Sequence, residues 1–508
     1  MLKDNLSYSP VELAFGTSGL RGLVTDMTDL ECYINAFGFI AFLQKHDNLA
    51  PGSTIFVAGD LRKSTPRITQ VVLTAISDAG MKVVYGGSVP TPAIAYAASL
   101  AAAPCIMVTG SHIPADRNGI KFYKSGGEVL KADEAAIKEA VAEVRARLYE
   151  QSTEESSFDT DGSHKQLVII PDTDQGVADG YIRRYTDVFM EDALAGKQVV
   201  LYQHSAVGRD IIRTLLERLG ATVIPVARSD EFVPIDTENV TEKEAALFRD
   251  FVTQNPGSFA VVSTDGDSDR PFVIDETGTF HRGDVLGLVV AKYVGAQFAG
   301  VPISANDAVN TFCEAHDIGL EYTKIGSPYV IVAMQQASRT PTVGWEVNGG
   351  FLTGDDIELN GKTLKALPTR DAVLPIICAL LTASESGKKL SEVFGELPRR
   401  YTGGGLIDDV PQNQIDQFKV QSGNKEAMQD LADRVFEGTS FGKAELDITD
   451  GLRLIFESGD VIHLRPSGNA PQFRVYTNAD SQERADDLVT QALDESGFIA
   501  KLLSLLVA

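Results

Sequence analysis

Along the chain, short apolar runs alternate with amphipathic stretches, and glycines mark many of the joins. Residues 55–58 read as a buried strand, 67–79 repeat their apolar positions at helical spacing, and 81–85 read as a second strand after Gly80. An Ala-rich helical stretch over 92–103 leads into another apolar run, Cys105-Ile106-Met107-Val108, and a further helix is expected over 133–149. The order recurs as strand 198–202, helix 208–219 and strand 221–226 after Gly220, and again as 302–305, 308–318 and 320–325 after Gly319. Three strand–helix–glycine–strand units at such wide spacing predict three related α/β domains, because a solenoid would repeat at shorter intervals. Beyond Tyr401 the pattern changes to strands at 446–456, 461–464 and 473–476 and a helix at 481–493, a smaller α+β domain. Residues 151–165 are polar and nearly free of aliphatics, so they read as a linker or long loop. Domains are therefore expected over 1–155, 166–276, 277–398 and 401–508.

Composition narrows the possible partners. At 508 residues the chain is too long for one core, and 44% hydrophobic with 23% charged residues is ordinary for a soluble globular protein. Lys and Arg number 45 against 70 Asp and Glu, a net charge of −25, which argues against nucleic acid or an anionic membrane as partner. An anionic ligand would have to be held by local Arg, Lys, metal and backbone N–H groups. Cys32, Cys105, Cys313 and Cys378 lack C-x-x-C spacing and read as buried thiols of a reducing compartment. The start, M-L-K-D-N-L-S, has no signal-peptide apolar region, and no run reaches transmembrane length, so a cytoplasmic location is expected.

Candidate chemistry sits where apolar runs end. After Val108 come Thr109-Gly110-Ser111-His112, then Pro114, an Asn118-Gly119 turn signal, and Lys121. A serine at a strand end is expected to be displayed at a sheet edge, and beside glycine backbone and near a histidine and a lysine it suits a nucleophile or phosphate carrier, although Thr-Gly-Ser-His is also an ordinary strand-to-turn transition. Thr264-Asp265-Gly266-Asp267-Ser268-Asp269-Arg270 lies between two apolar strands. Carboxylates at every second position repel one another unless a cation gathers them, and hard oxygen ligands suit Mg²⁺; a solvated acidic turn is the plainer alternative. An EF-hand is excluded, since Arg270 stands at the sixth position, which needs glycine, and the flanks are strands.

Three further segments fit the same chemistry. Glu346 and Asn348, two apart before Gly349-Gly350, would share a face of an extended segment and could read sugar hydroxyls; an edge hairpin is equally consistent. Arg465-Pro466-Ser467-Gly468-Asn469, with Arg474 beyond, makes an anion cradle or an ordinary turn. Near the start, Phe15-Gly-Thr-Ser-Gly-Leu-Arg-Gly22 offers Arg21 as an oxyanion clamp, or a flexible loop.

In this order the segments resemble the α-D-phosphohexomutase superfamily of phosphomannomutases and phosphoglucomutases, over nearly the whole chain, and within it a bacterial phosphomannomutase subgroup. The resemblance implies three similar α/β domains and a smaller α+β carboxyl-terminal domain around a central cleft. It also implies hexose 6-phosphate to hexose 1-phosphate interconversion through a phosphoserine and a hexose 1,6-bisphosphate. Ser111 would carry the phosphate, and Asp265, Asp267 and Asp269 would bind Mg²⁺ with a phosphate oxygen on Ser111. Lys121 and His112 would move the hydroxyl proton, and Arg21 and Arg270 would stabilise the phosphoryl group in transit. Glu346, Asn348 and Gly349 would contact the sugar; Arg465, Ser467, Gly468, Asn469 and Arg474 would hold the other phosphate. Departures at Ile113, Ser268, Asn348-Gly349-Gly350 and Asn469-Ala470 leave mannose, glucose and glucosamine phosphates open as substrates, beside a regulator that binds sugar phosphates without turnover or a phosphatase-type hydrolase.

Overall fold

The protein is described by a computed structural model covering residues 1–16, 19–467 and 471–506. Its first three sheets share one plan. In the first, Thr54–Gly59 lies between Lys82–Ser88 and Cys105–Val108, all parallel, and Arg117–Lys124 returns antiparallel beside Cys105–Val108. The second repeats this with Thr222–Arg228, Gln198–His204 and Ala260–Thr264 parallel and Pro271–Ile274 returning. The third does so with Gly319–Thr323, Phe298–Pro302 and Thr342–Trp345, and Phe351–Thr353 returning. Residues 109–116, 265–270 and 346–350 are thus the same loop three times, leaving the carboxyl end of the third parallel strand. Ligand sites in α/β sheets favour that end. The fourth sheet, Tyr401–Ile407, Phe473–Ala479, Val461–Pro466, Leu452–Phe456 and Ala444–Asp447, is antiparallel throughout.

Strand periodicity divides the first sheet between two cores. Ile55, Val57, Ile106 and Val108 pack with helices Asp29–His46, Thr65–Asp78 and Glu134–Glu150. Phe56, Ala58, Cys105 and Met107 join a second cluster that runs on through Leu201 and Val262 to Val301, Val343 and Trp345. One continuous apolar core therefore spans three sheets, and it sets the three loops against each other. The fourth sheet packs on its own cluster with helix Gln482–Leu493. Among the described residues, no helix is long and apolar enough to cross a membrane. All four cysteines are buried free thiols.

Several expected elements shift. The strand expected at 302–305 is Phe298–Pro302, masked because Gly300 and Pro302 read as breakers. The single strand at 446–456 is two, Ala444–Asp447 and Leu452–Phe456, parted by a turn at Asp450-Gly451, where Gly451 has φ +105°. Gly19–Leu23 is a strand paired with Arg117–Lys124, not a loose loop. Asn118-Gly119 is no turn but part of that partner; a Cβ on Gly119 would lie 2.5 Å from the Leu20 carbonyl oxygen, so close backbone packing demands the glycine. Residues 151–165 form a loop as expected, but a packed one, with Phe158 fully buried in the first core.

Candidate active site

Ser111 sits at the mouth of its strand with φ +54° and is buried, 1% exposed. The expectation of a displayed hydroxyl is corrected: Oγ donates to Asp265 Oδ2 at 2.7 Å, across to the second sheet. Its backbone N–H donates to Thr109 Oγ1 at 2.8 Å, and Thr109 Oγ1 donates to Asp60 Oδ2 at 2.8 Å. Arg62 staples the loop from beneath, donating to the carbonyl oxygens of Ser111, Ile113, Pro114 and Arg117 while pairing with Asp60. His112 Nδ1 lies 3.5 Å from Ser111 Oγ and accepts from Arg270 Nη1 at 3.0 Å. Burial and the Arg270 charge lower its pKa to about 3, so its imidazole is neutral.

The aspartate loop is buried throughout. One oxygen each of Asp265, Asp267 and Asp269 lie within 4.8 Å of one another. Ser268, at φ +57°, accepts from the Gly208 N–H at 2.8 Å and from Thr264 Oγ1 at 2.8 Å, which pins the loop to helix Arg209–Arg218. Donors hold one side of the second and third carboxylates: Lys121 Nζ reaches Asp267 Oδ2 at 2.6 Å and Asp269 Oδ2 at 2.7 Å, Thr91 Oγ1 reaches Asp267 Oδ2 at 2.6 Å, and Arg370 Nε reaches Asp269 Oδ2 at 3.1 Å. The opposite oxygens, Asp267 Oδ1 and Asp269 Oδ1, are buried and accept no hydrogen bond among the described residues, with Arg270 Nε 3.6 Å from the second. Burial and the neighbouring carboxylates push the Asp265 carboxyl up. Burial opposes the charge on Asp267 and Asp269 too, but Lys121 overrides it at the first and Arg370 at the second, and both sit below the usual carboxylate range. Buried oxygens without donors among three converging carboxylates suit a hard divalent cation. The donor set fits Mg²⁺.

The loop after Trp345 is a tight turn, with Gly349 N–H donating to the Glu346 carbonyl at 2.9 Å, inside a hairpin that pairs Trp345 with Phe351. Glu346 and Asn348 therefore do not share the face expected of an extended segment. Glu346 Oε2 accepts from Arg370 Nη1 at 3.0 Å, toward the aspartates. Asn348 Nδ2 donates to Glu238 Oε1 at 3.2 Å, and its carbonyl accepts from Thr237 Oγ1 at 2.9 Å. Arg21 opens to solvent beside this assembly; the surrounding protein, then the charges of Arg270 and Arg370, bring its pKa down to about 10. Such crowding of positive charge favours a bound anion.

Arg465 and Arg474 face each other as cross-strand partners, and the Nε of each is buried without a hydrogen-bond partner among the described residues. Arg465 lies 3.5 Å from Asp450, whose Oδ2 accepts the Ile325 N–H at 3.1 Å, so the fourth sheet meets the third here. Ser467 N–H donates to the Gln472 carbonyl at 2.8 Å. Gly468 and Asn469 lie outside the described residues. The first two loops are thus joined by direct hydrogen bonds, the third reaches the second through Arg370, and the fourth approaches through Asp450. Sequence reasoning missed Asp60, Arg62, Thr91, Glu238 and Arg370. The signal available for Arg62 was an acid and a base, Asp60 and Arg62, directly after an apolar strand.

Four family models match the chain in order: phosphoglucomutase/phosphomannomutase alpha/beta/alpha domain I over 12–147, domain II over 179–278, domain III over 282–401 and the C-terminal domain over 417–495. The chain is 39% identical over 486 residues to a phosphomannomutase of Sinorhizobium fredii, covering 94% of this chain and 98% of the relative. It is also 39% identical to a phosphomannomutase of Salmonella muenchen, covering 94% of each. A crystal structure of a phosphoglucomutase/phosphomannomutase family protein from Burkholderia thailandensis superposes with a TM-score of 0.70 at 18% identity, covering 96% of this chain and 98% of that one, and shares the fold.

Proposed function

The chain belongs to the phosphoglucomutase/phosphomannomutase family, and from that premise we propose that it interconverts mannose 6-phosphate and mannose 1-phosphate. It is an isomerase working by phosphoryl transfer. The observation that carries the mechanism is the 2.7 Å contact from Ser111 Oγ to Asp265, inside the carboxylate cluster.

Ser111 carries the transferable phosphoryl group. A sugar hydroxyl attacks the phosphorus, the bond to Ser111 Oγ breaks, and hexose 1,6-bisphosphate forms. The bisphosphate turns round, and its other phosphoryl group passes to Ser111, freeing the isomeric monophosphate. Lys121 and His112 take and return the hydroxyl proton, while Arg21 and Arg270 spread the charge of the group in transit. Asp265, Asp267 and Asp269 would hold a magnesium ion, which would neutralise phosphoryl oxygen charge. Glu346, Asn348 and the Gly349 backbone hold sugar hydroxyls. Arg465, Ser467, Gly468, Asn469 and Arg474 hold the resting phosphate, and hexose 1,6-bisphosphate restores phosphoserine after misfires. The work is cytoplasmic, as the free thiols suggest.

The test is turnover of mannose, glucose and glucosamine 1-phosphates side by side, with MgCl₂ and a trace of hexose 1,6-bisphosphate. The highest kcat/KM on mannose 1-phosphate supports the reading. A higher value on either other sugar moves the preference. Binding without turnover, or steady release of inorganic phosphate, overturns the mutase.

A further inference from the structure

We propose that Arg370 is a positioning residue through which the cation-binding loop and the sugar-reading loop act as one unit. The inference rests on reading the aspartate cluster as a cation site. Arg370 lies near the end of strand Leu367–Asp371 and is 6% exposed. Nε donates to Asp269 Oδ2 at 3.1 Å, and Nη1 donates both to Glu346 Oε2 at 3.0 Å and to Ser327 Oγ at 3.1 Å. Ser327 Oγ donates onward to Glu128 Oε2 at 2.6 Å, and Thr369 Oγ1 donates to Glu128 Oε1 at 2.6 Å. The guanidinium is thus oriented from the first sheet while holding one carboxylate of the second and one of the third.

Two features separate this from simple neutralisation of a buried acid. Asp269 has Oδ2 occupied by Arg370 and Lys121, while Oδ1 accepts no hydrogen bond among the described residues and has only the Arg270 Nε charge 3.6 Å away, so the hydrogen bonds select which oxygen faces a ligated cation. The Gly350 backbone also leans on the Arg370 stem, where a Cβ would lie 2.5 Å from Arg370 Cδ, so the sugar turn is shaped around this side chain. Partners that orient a ligating carboxylate set the metal affinity, and their loss costs about 10–100-fold. Because Glu346 hangs on the same planar fork, cation and sugar phosphate should strengthen each other's binding, by the same factor in either order.

The test is calorimetric titration of MnCl₂ into the full chain, with KM for mannose 1-phosphate measured alongside. Arg370→Met should bind Mn²⁺ about 10–100-fold more weakly at unchanged circular dichroism, with KM raised. In the wild type, MnCl₂ should tighten mannose 1-phosphate binding, and Arg370→Met should lose that effect. Arg370→Lys has one ammonium where two carboxylates need separate nitrogens, so it should restore Mn²⁺ affinity or KM, not both. Folded Arg370→Met with Mn²⁺ affinity within about twofold of wild type overturns the inference. If that variant does not fold, Arg370→Lys decides: wild-type values of both quantities overturn the proposal, and a split supports it. Wild-type binding of Mn²⁺ that Asp267→Asn abolishes and Arg370→Met leaves intact sinks the inference alone. Absence of Mn²⁺ binding in the wild type sinks the cation site as well.

Discussion

Replacing Arg62 with Met should separate loop geometry from the chemistry it supports. The guanidinium makes five hydrogen bonds, one to Asp60 and four to carbonyl oxygens of the serine loop. Both Arg62 and Asp60 are almost wholly buried. Removing one partner of a buried ion pair leaves an uncompensated charge, so the variant should lose about 3–5 kcal/mol in urea denaturation. The four carbonyls add less than four full penalties, since a loosened loop can expose them to water. The functional effect should be larger in proportion. A serine displaced by about 1 Å costs on the order of a hundredfold in turnover. Met has nearly the length of the Arg stem, so the apolar contacts mostly survive. Asp60→Asn combined with Arg62→Met removes both charges, and should recover part of the stability and none of the turnover. Hydrogen exchange should show faster exchange at 110–117 in both variants. Arg62→Met with unchanged exchange there and kcat/KM within about threefold of wild type would refute the staple.

Ser111→Ala should abolish mutase turnover and phosphoryl incorporation seen by mass spectrometry; because the hydroxyl is buried on Asp265, it should also cost about 1–3 kcal/mol, and wild-type turnover would contradict the assignment. Lys121→Met leaves Asp267 and Asp269 without their shared ammonium, so about 3–5 kcal/mol should be lost in chelator, and MgCl₂ should restore more stability than it adds to wild type; equal increments would count against a shared site. Gly283→Ala places a Cβ 2.0 Å from the Gly349 backbone nitrogen, so the sugar turn must move, and KM for mannose 1-phosphate should rise more than kcat falls; an unchanged KM would remove Gly349 from the sugar site.

The loops were readable in the sequence because each packs its chemistry into a few consecutive residues at a strand end. Their supports were not, because each is a single residue whose partner is far away along the chain. Arg62 and Ser111 are 49 positions apart, Arg370 and Asp269 are 101 apart, and Thr91 and Asp267 are 176 apart. Helix Asp29–His46 escaped for a different reason: its buried residues run almost all the way round it, so no apolar stripe marks a face. Periodicity finds elements with one wet side. The turn at Glu346–Gly349 shows the converse limit, where the alternation was sound but a glycine-driven turn rotated two neighbours apart. An adjacent acid and base directly before a long apolar helix, Arg370-Asp371 ahead of Val373–Ser386, was another cue left unused.

The charge balance explains how so acidic a chain can hold a phosphorylated sugar. Asp265, Asp267, Asp269 and Glu346 are faced by Lys121, Arg270 and Arg370, four buried acids against three cations. A phosphoryl group on Ser111 adds about −1.5 to −2 charges, and a magnesium ion adds two positive ones. Either one alone would leave that charge uncompensated in a buried site, which is costly; together they leave the balance nearly unchanged. Arg21 stands outside the pairing, with its pKa lowered by its surroundings and by Arg270 and Arg370. Its positive charge remains for the incoming substrate. The acidity elsewhere on the chain does not reach this point strongly, because exposed charges beyond roughly 8–10 Å are screened by physiological salt while the buried set is not. Recognition of an anion by a protein of net charge −25 is therefore a local matter, settled by the cations that line the cleft and not by the sign of the whole surface.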